Sequence, residues 1–372
     1  MAATFTKREK QNIIIRLSIL AALIVVIVIC VVIIVNNSKT KGGINEISND
    51  SSKYSGQMSD FKFYYNLDEE NAGATQLKLE REYTSAFDKI YELVSEYDEL
   101  EGIYNVYYIN NHINEDISLE PVLYNYLKKI YDLNPKYLLS APLYDYWEGM
   151  IYSKDLNQRN NIEPENNIEI KNSLDYFVNT SLNNISISFL DSYKIRVNVN
   201  DDYKKIDDGN PYISLSLFYD SVIMDYIKSY LAKSNLSDGY IISSNGFYLD
   251  LGLTIENRIL LTSKEYQGGY YSLSCEKGNN YICLYNYKPS VDYPYYEYNG
   301  AKRSLFINYN NGYSLDIYSS VFYKNGDMID LLSNVFDYYL NGNNINHLIQ
   351  KDNKIYTNVK SVSSDSIEVV YE

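Results

Sequence analysis

Hydrophobic and polar positions change rhythm several times along this chain. Residues 13–35 read IIIRLSILAALIVVIVICVVIIV, and 17–35 carries no charge. In a helix that stretch spans about 28 Å, close to the thickness of a bilayer's hydrocarbon core. Lys7, Arg8, Lys10 and Arg16 precede it and Lys39 and Lys41 follow. This balance favours a cytoplasmic N-terminus (1–12), a transmembrane anchor (13–35) and a single-pass membrane protein whose C-terminal domain lies outside the cytoplasm. A cleaved signal peptide is the rival reading. The apolar run is long for that, and no small-residue cleavage site follows it. Residues 36–57 are polar and read as a linker. The domain then begins at Met58 and runs to the end of the chain.

FKFYYNL (61–67) alternates as a strand does. Over 76–97, Leu79, Tyr83, Phe87, Ile90, Val94 and Tyr97 fall at helical spacing. Ser118 is placed to cap a second helix carrying Val122, Leu123, Tyr126, Leu127 and Ile130, with Pro121 in its first turn. A third helix is expected over 167–178 and a hairpin over 185–199, turning at Asp191-Ser192. A fourth helix over 218–233 would bury Val222, Ile223, Tyr226, Ile227 and Tyr230. After Gly239, short alternating strands separated by glycine-containing turns run to about Phe322. A last long helix follows over 327–340, then a short helix and a terminal strand pair. Helices and strands are interspersed, so the expected class is α+β with mainly antiparallel sheet.

Composition and charge then limit the chemistry. Hydrophobic residues make up 45% of the 372, enough for a sizeable core, and 43 residues are tyrosine. The formal net charge of −15 argues against nucleic acid as a partner, since phosphate binding draws on Lys and Arg. His112 and His347 are the only histidines, which restricts histidine catalysis and metal sites. Cys275 and Cys283 flank a turn-like EKGNNYI segment, where a disulfide and two free thiols are both open readings. The acidic pairs Asp201-Asp202 and Asp207-Asp208 lack the alternation of a calcium loop and read as a solvated loop. VDYPYYEYNG (291–300) offers tyrosines to a ligand or partner, against a chain-wide tyrosine bias.

Several short segments, taken in order, carry a resemblance. Met58-Ser59-Asp60 stands where one family has Met-Gly-Thr. Ser95, Tyr97, Asp98 and Asn110 match its S-x-Y-D and later L-N positions, and YLLSAPLYDYW (137–147) matches an aromatic segment ending in Trp. SLSLFYDSVIMD (214–225) aligns without gaps on D-L-G-G-I-A-K-G-Y-A-V-D, keeping Leu215 and Asp225. NGFYLDLG (245–252) fits G-G-D-I-x-x-x-G, and CLYNY (283–287) fits T-S-G-D-Y with only Tyr287 kept. SLFINYNNG (304–312) fits S-H-I-x-D-P-x-T-G, and IDLLSN (329–334) fits A-D-A-L-S-T. In this order the segments resemble the FAD:protein FMN transferase (ApbE) family over roughly residues 54–360.

The resemblance implies a two-subdomain flavin-transferase fold and, for an active member, FAD and Mg²⁺ as cofactors. It implies transfer of FMN from FAD to a Thr or Ser of a target flavoprotein. Met58, Tyr97, Asn110, Gly246 and Tyr287 would bind the flavin cofactor. Asp330 and Asn334, four residues apart on one helix face, would ligate the metal. A helix-start carboxylate favoured by the macrodipole is the other reading of Asp330.

Several family residues are replaced. Ser216-Leu217 stands for a Gly pair that admits phosphate, Asp220 for a Lys, and Leu305 for a His. Losing several groups from one cooperative site removes its activity. The expected function is therefore a catalytically degenerate binding or scaffold module with a flavoprotein or membrane-protein partner, and its catalytic residues are unassigned. The alternative is an active FMN transferase, and a third possibility is FAD binding without transfer.

Overall fold

The computed structural model describes residues 40–153, 156–206, 209–262, 270–275, 277–284, 295–315, 320–340, 354–356, 358–363 and 366–370, with isolated positions between 19 and 29. Its helices are α1 (Ser55–Met58), α2 (Ala72–Val94), α3 (Val106–Asn111), α4 (Pro121–Leu133), α5 (Lys136–Leu139), α6 (Ala141–Tyr152), α7 (Leu156–Ile162), α8 (Ile168–Asn179), α9 (Tyr219–Lys233) and α10 (Met328–Leu340). The strands up to residue 250 are β1 (Gly43–Ile47), β2 (Phe61–Leu67), β3 (Ile117–Ser118), β4 (Ile185–Leu190), β5 (Lys194–Val199), β6 (Gly239–Ser243) and β7 (Phe247–Asp250). Beyond them lie β8 (Asn257–Thr262), β9 (Tyr270–Cys275), β10 (Asn279–Leu284), β11 (Tyr295–Tyr298), β12 (Ala301–Ser304), β13 (Ile307–Asn308), β14 (Tyr313–Ser314) and β15 (Ser320–Asn325). The last three are β16 (Lys354–Tyr356), β17 (Asn358–Ser363) and β18 (Ser366–Val370).

The main sheet has the strand order β1-β2-β6-β7-β10-β15-β16, with every neighbouring pair antiparallel. The α+β expectation holds. In β2, Phe61, Phe63, Tyr65 and Leu67 are buried while Lys62 is exposed and Tyr64 and Asn66 are half-buried. This is the period-2 pattern of a strand with one face on the core. The core face packs on α2 and α9 through residues such as Tyr83, Phe87, Val222 and Ile227, all fully buried. On the other face a tyrosine row crosses five adjacent strands: Tyr64, Tyr240, Tyr248, Tyr281 and Tyr323. Their successive ring centroids lie 4.9, 5.1, 5.7 and 5.5 Å apart. Cross-strand aromatic contacts of this kind stabilise a sheet face. They give five of the chain's many tyrosines a packing role.

Several expectations need correction. Among the described residues no helix is long and apolar enough to cross a membrane, which overturns the single-pass membrane reading. Of the 13–35 run, residues 19, 23 and 25–29 are described as helical and exposed, and the rest lies outside the described residues. Part of the segment read as a linker is ordered structure. Residues 43–47 form β1, the edge strand paired with β2, and 55–58 form α1.

The helix predicted over 76–97 stops at Val94, and Tyr97 is 70% exposed. Ser95 turns the chain out instead. Its Oγ donates to Asp98 Oδ2 at 3.1 Å and accepts from the Asp98 N–H at 3.3 Å, a local bond that competes with helix continuation. Ser118 is no helix cap but the end of β3. Glu120 takes the cap position in extended conformation because it precedes Pro121.

Asn167 does cap α8, accepting from the N–H groups of Glu169 and Ile170. The 185–199 hairpin forms, with Ser192 and Tyr193 both at positive φ in its turn. In α9, Val222, Ile223 and Ile227 are buried, while Tyr226 and Tyr230 are half-buried. The terminal strand pair is β17–β18. The short helix expected before it lies outside the described residues.

Cys275 and Cys283 are not joined by a disulfide. They sit on β9 and β10, which belong to different sheets. Burial pushes the Cys283 thiol well up, so it stays protonated.

Candidate functional site

Several of the positions that stand for family motif residues line one cleft of about 350 Å³. Asp60 arrives from the α1–β2 turn, Ser95 and Tyr97 from the exit of α2, Ser216 and Leu217 from the short 3-10 turn before α9, and Asp220 from the first turn of α9. Asn245 comes from the β6–β7 turn, and Leu305 from the residue after β12. The walls are completed by Gln57, Val94 and Glu96 and by the tyrosines Tyr91, Tyr144, Tyr152 and Tyr219, with Glu148 on α6. Among the described residues its charged side chains are Asp60, Glu96, Glu148 and Asp220, with no Lys, Arg or His in the lining.

Sequence reading missed Glu96 and Glu148. The available signal was adjacency, since Glu96 lies between Ser95 and Tyr97 and Glu148 follows Trp147. Glu96 Oε1 accepts from Ser214 Oγ at 3.0 Å and from the Leu215 N–H at 2.5 Å, fastening the end of α2 to the segment before α9. Burial pushes its pKa up to about 7, against the lowering effect of the Ser214 and Leu215 bonds. Glu148 is likewise raised by burial, opposed by a hydrogen bond from Tyr97 Oη at 3.3 Å.

A pH dependence follows. The folded protein holds the Glu96 proton more tightly than the unfolded chain, whose carboxyl titrates near 4.5. This contribution to stability is fully present below that value and is lost as pH rises through about 7. Asp225, also raised to about 7 by burial, adds a slope of the same sign. Melting temperature measured against pH for the native chain and for Glu96→Gln separates the two. The Gln variant is expected to show the shallower decline across neutral pH, and identical slopes would remove the role given to Glu96.

The residues assigned to cofactor binding scatter. Tyr97 lines the cleft. Met58 is fully buried in the core. The Asn110 side chain clamps the chain at residues 212–213. Its Oδ1 accepts from the N–H groups of Tyr212 and Ile213 and its Nδ2 donates to the Ile213 carbonyl, all at 2.9 Å. Gly246 sits at φ +88° in the β6–β7 turn, a conformation suited to glycine. Tyr287 lies outside the described residues.

Asp330 and Asn334 share one face of α10 but do not line the cleft. Lys129 pairs with Asp327 and approaches Asp330 Oδ1 at 3.3 Å. Asn334 Nδ2 donates to the carbonyl of Asp330 at 2.7 Å, one turn back. Among the described residues no group of three or more His, Cys, Asp or Glu is placed to hold a metal ion.

The matched positions outside the cleft have architectural roles. Leu215 is fully buried. Asp225 accepts the N–H groups of Met328 and Ile329 at 3.0 and 3.2 Å, capping α10 from α9. Trp147 Nε1 donates to the Gly312 carbonyl at 2.9 Å. Gly312 lies at φ +77°, and a Cβ there would meet Leu174 and Val178 at 3.3 Å.

A seven-stranded antiparallel sheet, helices on its core face and a cleft at the ends of α2 and α9 define a flavin-transferase-like fold of the ApbE type. The chain is similar in structure to the flavin transferase ApbE of Vibrio cholerae, with a TM-score of 0.51 at 10% identity over 84% of this chain and 93% of that one. It is also similar to the apo form of the flavinyl transferase ApbE of Pseudomonas stutzeri, with a TM-score of 0.52 at 9% identity over 84% and 90% of the two chains. The sequence itself matches no protein-family model and no curated protein.

Proposed function

We propose that this chain is a flavin-transferase-like binding module that does not transfer FMN. The observation carrying the reading is the charge of the cleft. Asp60, Glu96, Glu148 and Asp220 face a space in whose lining, among the described residues, no cationic side chain stands. A pyrophosphate ligand needs cations or a metal around its oxygens, and carboxylates repel it. FAD therefore does not fit the residues present. Asp330 and Asn334 also lie outside the cleft lining, and the Lys129 ammonium 3.3 Å from Asp330 Oδ1 competes with a metal there. Leu305 also offers no proton relay at the position where the resembled family has His.

The test is flavin handling by the full-length chain. Absorbance, FAD-dependent thermal shift with Mg²⁺, and transfer of FMN to an acceptor carrying a reactive threonine are the readouts. No flavin effect in any of them is expected. Mg²⁺-dependent transfer that Asp330→Ala abolishes would establish the alternative, a divergent active FMN transferase.

A further inference from the structure

We propose that the cleft binds an uncharged hydroxylated ring, a pyranose sugar, with its carbon face on the tyrosine walls and its hydroxyls on two carboxamides. This rests on the reading of the cleft as a binding site without transfer chemistry, and it names the ligand class.

The carboxamides open onto the cleft from different elements, Gln57 on α1 and Asn245 in the β6–β7 turn. Among the described residues neither side-chain amide bonds to another protein group. An amide both donates and accepts, as a sugar hydroxyl does. A cation would meet the amide N–H groups and an anion the amide oxygen. Glu148 adds an acceptor to the same space. Its Oε2 takes one bond, from Tyr97 Oη at 3.3 Å, and a carboxylate accepts several.

The rings come from further elements, Tyr152 at the end of α6 and Tyr219 at the start of α9. Among the described residues neither hydroxyl makes a hydrogen bond. Each offers a flat apolar face for the C–H groups of a pyranose and a hydroxyl at its edge.

The charges also favour a neutral ligand. Four carboxylates in the lining disfavour an anion. They offer a cation less than their number suggests, because Glu96 is spent on Ser214 Oγ and the Leu215 N–H. The volume of about 350 Å³ lies at the small end of the range for small-molecule sites, which suits a mono- or disaccharide.

The test is saturation-transfer NMR of the full-length chain with the methyl glycosides of glucose, galactose, mannose and N-acetylglucosamine. Calorimetric titration follows for those that respond, with spermidine and glucuronate compared at matched ionic strength. Saturable binding of at least one glycoside is expected, with a Kd of about a millimolar, as for a small ligand held by a few neutral hydrogen bonds. Gln57→Glu combined with Asn245→Asp keeps the side-chain shapes and removes both N–H donors. It should weaken sugar binding by about tenfold or more, whereas it would strengthen a cation site. Tyr152→Leu, at a 56% exposed position, should weaken binding several-fold without loss of the fold. Saturable binding of none of the glycosides, or binding unchanged in these variants, overturns the proposal. So does spermidine or glucuronate binding more than about tenfold tighter than every glycoside. FMN transfer is assayed on the same preparation. Transfer activity sinks the functional reading whatever the sugars do, whereas absence of both transfer and sugar binding sinks only this inference.

Discussion

Replacing Arg303 with alanine is expected to lower stability by about 3–5 kcal/mol, the range for breaking a buried ion pair from one side. Arg303 is 5% exposed and Glu163 is fully buried. Arg303 Nε donates to Glu163 Oε1 at 2.9 Å, and its Nη2 donates to Glu165 Oε1 at 2.6 Å. Tyr296 Oη completes the group with a 2.6 Å bond to Glu163 Oε2. The cluster ties the loop after α7 to the β11–β12 hairpin, beside the Trp147 ring, whose centre lies 5.8 Å from the guanidinium.

Removing the guanidinium leaves the buried Glu163 carboxylate with the Tyr296 hydroxyl but without the counter-charge of Arg303. Arg303→Lys should recover little, because one ammonium cannot reproduce the fork to two carboxylates. Removing both charges together, as Glu163→Gln with Arg303→Met, should cost much less than Arg303→Ala, since no buried charge is left alone. Thermal melts of the three variants decide the matter. Equal losses for the single and double variants would show that the pair contributes only its packing.

The second large effect is expected at Asp225, where alanine should cost about 2–4 kcal/mol through the loss of a buried helix cap. Its carboxyl is 6% exposed and receives the N–H groups of Met328 and Ile329 from a different helix. Without it those first-turn donors of α10 are buried unpaired. Burial raises the Asp225 pKa to about 7, so much of its work is done by an oxygen acceptor that need not carry full charge. Asp225→Asn, neutral and of the same shape, should therefore lose less than half of what alanine loses. Urea unfolding monitored by circular dichroism measures both. An Asn variant as unstable as the Ala variant would mean that the full charge is required at the helix start.

These two sites explain what the sequence made legible. Alternation at 61–67 and helical spacing at 79–94 announced β2 and α2, because a strand and a helix each expose one face to the core. Asp225 and Leu215 were recognisable as matches to a known pattern, yet their roles were not, since a capping carboxylate and a catalytic one are the same residue type. Boundaries failed where a local bond overrode periodicity, as Ser95 with Asp98 did at the end of α2. The edge strand β1 was hidden in a polar segment, because an edge strand's pairing is made through backbone groups and leaves little trace in side-chain pattern. Glu163 and Arg303 stand 140 residues apart, so nothing local in the sequence announces their pairing.

The sequence by itself determined the interspersed helices and strands, the acidic balance and the order of motif-like segments that points to a flavin-transferase-like fold. Those properties are local or additive along the chain. Only the tertiary structure decided that several altered positions face one cleft, that Glu96 and Glu148 join Asp60 and Asp220 in it, and that Asp330 lies beside Lys129. Charge at a site depends on which side chains converge in space, and convergence is fixed by long-range packing that periodicity does not record.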